Sequence, residues 1–354
     1  MLKKKMSKNT RSNLITYGIV IVAFIVMQTL ISTGSISSLM EGLMIPLCIY
    51  IILAVSLNLV VGILGELSLG HAGFMCVGAF ASAFFSKCMR DVITIAPLRF
   101  FLALLIGVAV AAVFGIIIGI PVLRLKGDYL AIVTLAFGEI IKNLVNVLFI
   151  GKDSNGFHFS TKDVMDLNME ADGTVIVNGP QGITGTPQDS TFVIGVILIL
   201  LTLFIVINMV NSRDGRAIMA IRDNRIAAES VGINVTKYKL MAFTVSAALA
   251  GAAGVLYAHN LSTLTANTNN FGYNMSINIL VFVVLGGIGS IRGSMIAAVV
   301  LTLLPELLRG LSDYRMLIYA IVLILMMLFN WSPKAIEWRE KYLSFGKKKK
   351  EAVK

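Results

Sequence analysis

LMAFTVSAALAGAAGVLYAHNLSTLTANTNNFGYNMSINILVFVVLGGIGSI, residues 240–291, decides the fold. Its 52 residues include no Asp, Glu, Lys or Arg. A helix that crosses hydrocarbon needs ~20 mostly apolar residues, so the run is too long for one helix. Its middle, Asn260 to Gly272, is rich in Asn and Thr and divides it into two spans around a polar loop. In the first half Ser246, Ala250, Gly254 and Ala258 recur at every fourth position and share one helix face. Inside lipid, helices associate by close backbone approach at such small residues. The stretch therefore reads as two members of a packed transmembrane bundle.

Working outward, Ser12–Met40, Gly42–Gly65, Phe100–Leu123, Ser190–Ser212 and Met316–Pro333 are further runs without a charge. Together with the Gly-, Ala- and Ser-rich stretch after Ser68, they predict helices over 14–33, 41–61, 67–85, 98–120, 129–149, 191–210, 241–259, 274–288, 293–309 and 315–331. The expected fold is all-α: a polytopic transmembrane helix bundle of about ten transmembrane helices. Composition agrees. Of 354 residues 57% are hydrophobic and 14% charged, against about 25% charged in a soluble domain. That excludes a soluble enzyme, a disordered chain and a secreted disulfide scaffold. Long unbroken apolar runs also argue against a β-barrel, whose strands alternate. Small residues are spaced by four again at Gly107, Ala111, Gly115 and Gly119, and at Gly289, Gly293 and Ala297.

The net charge is +11. In a membrane protein this points to basic cytoplasmic loops, not to nucleic acid. Ten spans put both termini on one side. With that side inside, 22 of the 30 Lys and Arg residues are cytoplasmic. They lie in a basic N-terminus (1–13), at Arg124 and Lys126, in the 211–239 loop, at Arg292, and in a basic tail (332–354). The transmembrane region between the termini is 14–331. Lys and Arg residues precede the first span as in a signal peptide, but more spans follow, so it reads as an uncleaved helix. Cys48, Cys76 and Cys88 have no metal-like spacing and read as small buried hydrophobes.

Two loops are long. The outer one, 150–190, holds Ala171–Gly179, where Asp-Gly and Asn-Gly suggest a short hairpin. The inner one, 211–239, suggests a short amphipathic helix with Asp214 as its cap and Gly232 as its stop. Such a segment could lie on anionic lipid or dock a cytoplasmic protein.

No Gly-x-x-x-x-Gly-Lys-Ser/Thr phosphate loop is present in the sequence, nor a His-Glu-x-x-His, Cys-x-x-Cys or Gly-x-Ser-x-Gly pattern. Ionisable residues inside spans are functional candidates. Glu139 and Lys142 are three apart and can pair, and Glu66 and His71 flank the third span. Val61–Gly73 and Leu285–Ala297 are both Gly-rich hinges, the kind of paired interruption seen in transporter halves.

Four ordered motifs carry a resemblance. They are Asn58–Phe74 (NLVVGILGELSLGHAGF), Leu123–Ile141 (LRLKGDYLAIVTLAFGEII), the inner loop from Gly215 to Val235, and Leu285–Ser294 (LGGIGSIRGS). Together they resemble the branched-chain amino acid ABC transporter permease family over roughly residues 40–330, and the LivM type of subunit more than the LivH type. The resemblance implies a permease subunit that carries branched-chain amino acids, with ATP and Mg used by two separate cytoplasmic ATPase subunits and no cofactor bound by this chain. It implies a homologous second permease, an extracytoplasmic solute-binding protein and the lipid of a prokaryotic cytoplasmic membrane as further partners. On the inner loop it implies an ATPase-coupling role for Arg216, Arg222, Asp223, Asn224, Ala227, Ala228 and Gly232, with Ile226 standing where related loops have Glu. A substrate pathway is expected near Asn58, Ser68, His71, Thr134 and Glu139, where an apolar cargo would meet a few polar groups. Two alternatives stay open: a secondary transporter or channel driven by an ion gradient, and a family member that carries urea or short amides.

Overall fold

The computed structural model describes residues 8–35, 37–123, 128–170, 173–308 and 314–331. Among the described residues, helices lie near each of the ten expected stretches: α1 (Lys8–Ser32), α2 (Ser38–Asn58), α3 (His71–Cys88), α4 (Ala96–Val122), α5 (Asp128–Val147), α6 (Phe192–Asn211), α9 (Val235–Ala258), α11 (Tyr273–Gly286), α12 (Ile291–Leu307) and α13 (Arg315–Trp331). Short helices α7 (Arg213–Asp223), α8 (Arg225–Ser230) and α10 (Thr268–Phe271) lie between them. Among the described residues, six helical stretches are long and apolar enough to cross a membrane, within α1, α2, α4, α5, α6 and α9. The other four fall short for separate reasons. Gly, Ala and Ser dilute the apolar character of α3, while α11, α12 and α13 have 14, 17 and 17 residues. Most of the expected N-terminal and C-terminal basic segments, and Arg124 to Gly127, lie outside the described residues.

The centre of the bundle is α3, α4 and α9, and the small-residue ladders explain why they can approach so closely. A Cβ on Gly254 would lie 2.1 Å from the Met75 carbonyl oxygen, and one on Gly78 would lie 2.5 Å from Gly251 Cα. Gly107 faces Val255 and the Gly78 carbonyl, and Gly115 faces Ala247. The α4 ladder thus faces the Ala247, Gly251 and Val255 row of α9, while the α9 ladder at Gly254 faces α3. Around them Phe74, Phe243, Leu53, Ile52 and Leu57 are fully buried. Most polar groups in this core are bonded, with Thr244 Oγ1 of α9 an exception. The His259 ring bonds with Ser86 Oγ at 2.8 Å and with the Val255 carbonyl at 2.9 Å. The outward faces of α1 and α4 carry exposed Ile, Leu, Val and Phe side chains, as lipid contact requires.

The 150–190 loop adds short strands to the helical bundle. β1 (Phe149–Asp153), β2 (Gly156–Ser160) and β3 (Thr174–Asn178) form an antiparallel sheet ordered β2-β1-β3. β4 (Ile183–Thr184) pairs with β5 (Thr263–Leu264). The hairpin expected within 171–179 is instead β1–β2. Residues 171 and 172 lie outside the described residues, and 174–178 is a single strand on β1. The reason is local: the Asp153 carboxylate accepts from Asn155 N at 2.9 Å and Gly156 N at 3.1 Å, which closes the turn there. Its other oxygen is 2.9 Å from His158 Nε2 and accepts from Glu170 N. Lys87 at the end of α3 donates to the Val175 carbonyl at 2.8 Å, fixing the sheet to the bundle.

Burial alone would raise the pKa of Asp153, but the hydrogen bonds from Glu170, His158 and Asn155 outweigh it and lower the pKa. A lowered carboxylate stabilises the fold above the unfolded value of about 3.9, and that contribution is lost as pH falls through the lower folded value. Pepsin should therefore cut within 149–178 increasingly as pH falls below the ordinary carboxylate range, and Asp153→Asn should flatten that dependence. A second expectation concerns the core. Gly254→Leu overpacks against backbone that cannot move aside and should cost about 1–3 kcal/mol or more. It is read as a lowered unfolding temperature in detergent, with Ala258→Gly as a milder comparison.

Candidate functional site

The inner loop folds as two short helices. Ser212 ends α6 and caps α7, accepting from Gly215 N at 3.0 Å. Asp214, the expected cap, sits in the first turn instead, where a carboxylate suits the helix dipole. Asn224 breaks the segment: its backbone is extended, and its Oδ1 accepts from Ala227 N at 3.0 Å to start α8. Gly232 follows with a φ of +86° and open space around it, so the chain can turn back into α9. A side chain in that conformation would be strained.

The two faces differ. Ile218 and Ile221 are buried, and Ala228 packs with Ile221 and Val235. Outward face Arg216, Asp223 and Ala227. Ile226 and Val231 are also outward, 79% and 75% exposed. They are two apolar side chains left bare on a largely polar segment. The sequence marks Ile226 only as a departure from the Glu of related loops, and does not mark Val231. Their signal is that each is a β-branched residue outside the inward Ile218, Ile221, Ala228 set. Arg222 turns the other way from Arg216: its Nη1 donates to the Gly62 carbonyl at 3.0 Å, and its Nε and Nη2 hold Asp223.

Gly62 belongs to the first of two broken helices. α2 runs on into a π turn (Leu59–Leu64) and stops at Gly65, whose φ is +79°. Residues 65–70 are irregular before α3 begins. The second break, between α11 and α12, has Gly287 at +94° and Gly289 at +82°. The paired hinges expected from the sequence touch. Asn58 Oδ1 accepts from Gly289 N at 2.9 Å, and Asn58 Nδ2 donates to Ser294 Oγ at 3.0 Å. A Cβ on Gly62 would meet Gly289 N at 2.3 Å.

The five expected pathway residues fall into two groups. Asn58, Ser68, His71 and Thr134 surround the first break, and all are buried. His71 Nε2 shares a 2.7 Å hydrogen bond with Ser56 Oγ. Thr134 Oγ1 accepts from Leu69 N at 3.0 Å, one residue beyond Ser68. Ala72 N donates to Ser276 Oγ, tying α3 to α11. Glu139 stands apart, further along α5. It pairs with Lys142 and accepts from Tyr273 N at 2.9 Å at the start of α11, while Lys142 also donates to Thr268 Oγ1. The Glu139 side chain is a quarter exposed. Beside it runs a stripe of exposed apolar residues on α5: Tyr129, Ile132, Val133, Ile140 and Leu144. Glu66 is paired with Lys239 of α9.

Asn58 satisfies one backbone amide and one hydroxyl across the two breaks. Asn58→Leu would leave Gly289 N without its partner at a part-buried site, a cost of about 1 kcal/mol. The unfolding temperature should fall clearly for Asn58→Leu and less for Ser294→Ala, whose loss leaves the Gly289 bond in place.

The model of the family described as "Branched-chain amino acid transport system / permease component" matches residues 39–329. The chain is 36% identical over 297 residues to the high-affinity branched-chain amino acid transport system permease protein LivM of Salmonella typhimurium, covering 81% of this chain and 67% of that protein. It is similarly 36% identical to LivM of Escherichia coli over 298 residues, with the same coverage. A more distant likeness, 24% over 286 residues, is to LivH of Salmonella typhimurium, covering 79% of this chain and 88% of that protein. No solved structure matches the chain. With the family model spanning most of a helical bundle that is broken twice at glycine, the chain belongs to the family of branched-chain amino acid transport system permease components.

Proposed function

We propose that this chain is the permease subunit of an ATP-binding cassette importer that carries branched-chain, hydrophobic amino acids across the cytoplasmic membrane of a prokaryote. One observation carries the mechanism. The α7–α8 segment holds the first broken helix with its inner face and exposes Ile226 and Val231 on its outer face. That is the layout of an element pushed by a partner on one side and linked to moving helices on the other. In this reading Arg216, Asp223, Asn224, Ala227 and Gly232 frame the contact with a cytoplasmic ATPase. Ala228 seats the segment from below, and Arg222 links it inward. Two ATPase subunits hydrolyse ATP with Mg, and this chain binds neither.

The ten long helices are ten transmembrane spans with both termini cytoplasmic, and the sheet of 149–178 faces outward. There it is available to an extracytoplasmic solute-binding protein. A homologous permease completes the pathway. Glu139 is the pathway residue at an accessible face, beside the apolar stripe of α5. Asn58, Ser68, His71 and Thr134 act differently: they hold the broken helices whose rearrangement opens the route. Transport of this kind needs two packings biased by ATP, and no chemical step on the cargo. The ion-gradient alternative has less support. Glu139 is paired with Lys142 and Glu66 with Lys239, so neither carboxylate stands ready as an ion carrier.

The test is reconstitution. The chain, purified with its ATPases and second permease into proteoliposomes, should take up leucine, isoleucine and valine only with ATP inside and a binding protein outside. Uptake driven by an ion gradient without ATP would sink the reading, and competition by urea alone would reassign the cargo. Ile226→Asp or Val231→Asp should weaken ATPase co-purification about tenfold, as loss of a buried interface anchor does. The permease itself should remain folded.

A further inference from the structure

The π turn at the end of α2 leaves a backbone group in need of a partner. The amides of Gly65 and Glu66 both bond back to the Val60 carbonyl. Neither reaches the carbonyl of Gly62. A helix end deep in a bundle must find donors for its last carbonyls, and here the donor comes from the inner loop. Arg222 Nη1 donates to Gly62 O at 3.0 Å across 160 residues of sequence.

Three features show that this contact is built and not incidental. The stem of Arg222 lies on Gly65, where a Cβ would stand 2.5 Å from Arg222 Cγ. A glycine is thus required at that position by both its φ of +79° and the seat it offers. The guanidinium is oriented by two further bonds to Asp223 Oδ1, at 2.9 and 3.1 Å. On the other flank of the turn the Glu66–Lys239 ion pair fixes the chain to α9, with side chains 15% and 6% exposed. The turn is therefore gripped from α9 on one side and from α7 on the other. Its Asn58 end continues to Gly289 and Ser294 at the second break.

We infer that Arg222 is a positioning residue. It latches the α7–α8 segment to the 59–66 turn, so that displacement of the segment moves the first break and, through Asn58, the second. This rests on the proposal that α7–α8 meets the ATPase. It assigns Arg222 an inward, transmitting role in place of a docking one. Lysine cannot replace it fully. An ammonium can reach one carbonyl but cannot hold Asp223 and Gly62 in one fixed fork.

The test uses the assembled complex in lipid nanodiscs and proteoliposomes, with Arg222→Met and Arg222→Lys. Losing a charge-assisted bond should raise amide exchange across residues 59–66 about tenfold in Arg222→Met. Uptake per ATP hydrolysed should fall in step, and Arg222→Lys should lie between it and wild type in both readings. Unchanged exchange at 59–66 in Arg222→Met would overturn the latch. So would raised exchange with unchanged uptake per ATP. A wild-type complex that takes up no cargo would overturn the importer reading and this role with it. A transporting wild type beside an indifferent Arg222→Met overturns the latch alone.

Discussion

Inside a bilayer the backbone has no water to bond, so every amide and carbonyl must be satisfied within the protein. This chain meets that demand by helix almost everywhere and suspends it at two places, both at glycine. At each, side chains from distant segments take over the backbone's bonds. Asn58 takes the Gly289 amide, Arg222 supplies the Gly62 carbonyl, Ser276 takes the Ala72 amide and Thr134 takes the Leu69 amide. These bonds join α2, α3, α5, α7, α11 and α12 around the two breaks. The arrangement of the bundle follows from that junction.

The rigid part of the molecule has a different basis. The α3–α4–α9 core is held by backbone proximity, with glycine and alanine at the contacts and no room for a side chain at Gly78 or Gly254. Contact of this kind is made of many small dispersion terms and tolerates little sliding. The broken helices lie at its edge, held by a few directional bonds. The molecule thus sets a close-packed block beside a junction held by directional bonds.

Much of this was legible in the sequence because the controlling signals are strong ones. Charge-free runs of twenty residues mark helices almost without ambiguity, and the Asn- and Thr-rich interval after Ala258 correctly splits the 240–291 run. The pairing of Glu139 with Lys142 follows from their spacing of three. The sheet was read poorly. Turn dipeptides occur at Asn155-Gly156, Asp172-Gly173 and Asn178-Gly179, and which one closes a hairpin depends on the Asp153 carboxylate, a side-chain effect that dipeptide frequency does not contain. The inward turn of Arg222 was equally hidden. Spacing alone places it with the other charges of the loop, and only the unpaired carbonyl 160 residues earlier explains where it goes.

The Asn58 bridge also bears on how the chain is assembled. Its partners, Gly289 and Ser294, are 231 and 236 residues further on. At a synthesis rate of about 5–20 residues per second, roughly ten to fifty seconds pass between the two ends of that bond. Throughout that interval α2 is complete but its Asn58 side chain lacks both of these partners. The bridge between the two breaks can close only once residues 289–294 have been made, so the two breaks are joined late in the synthesis of the chain.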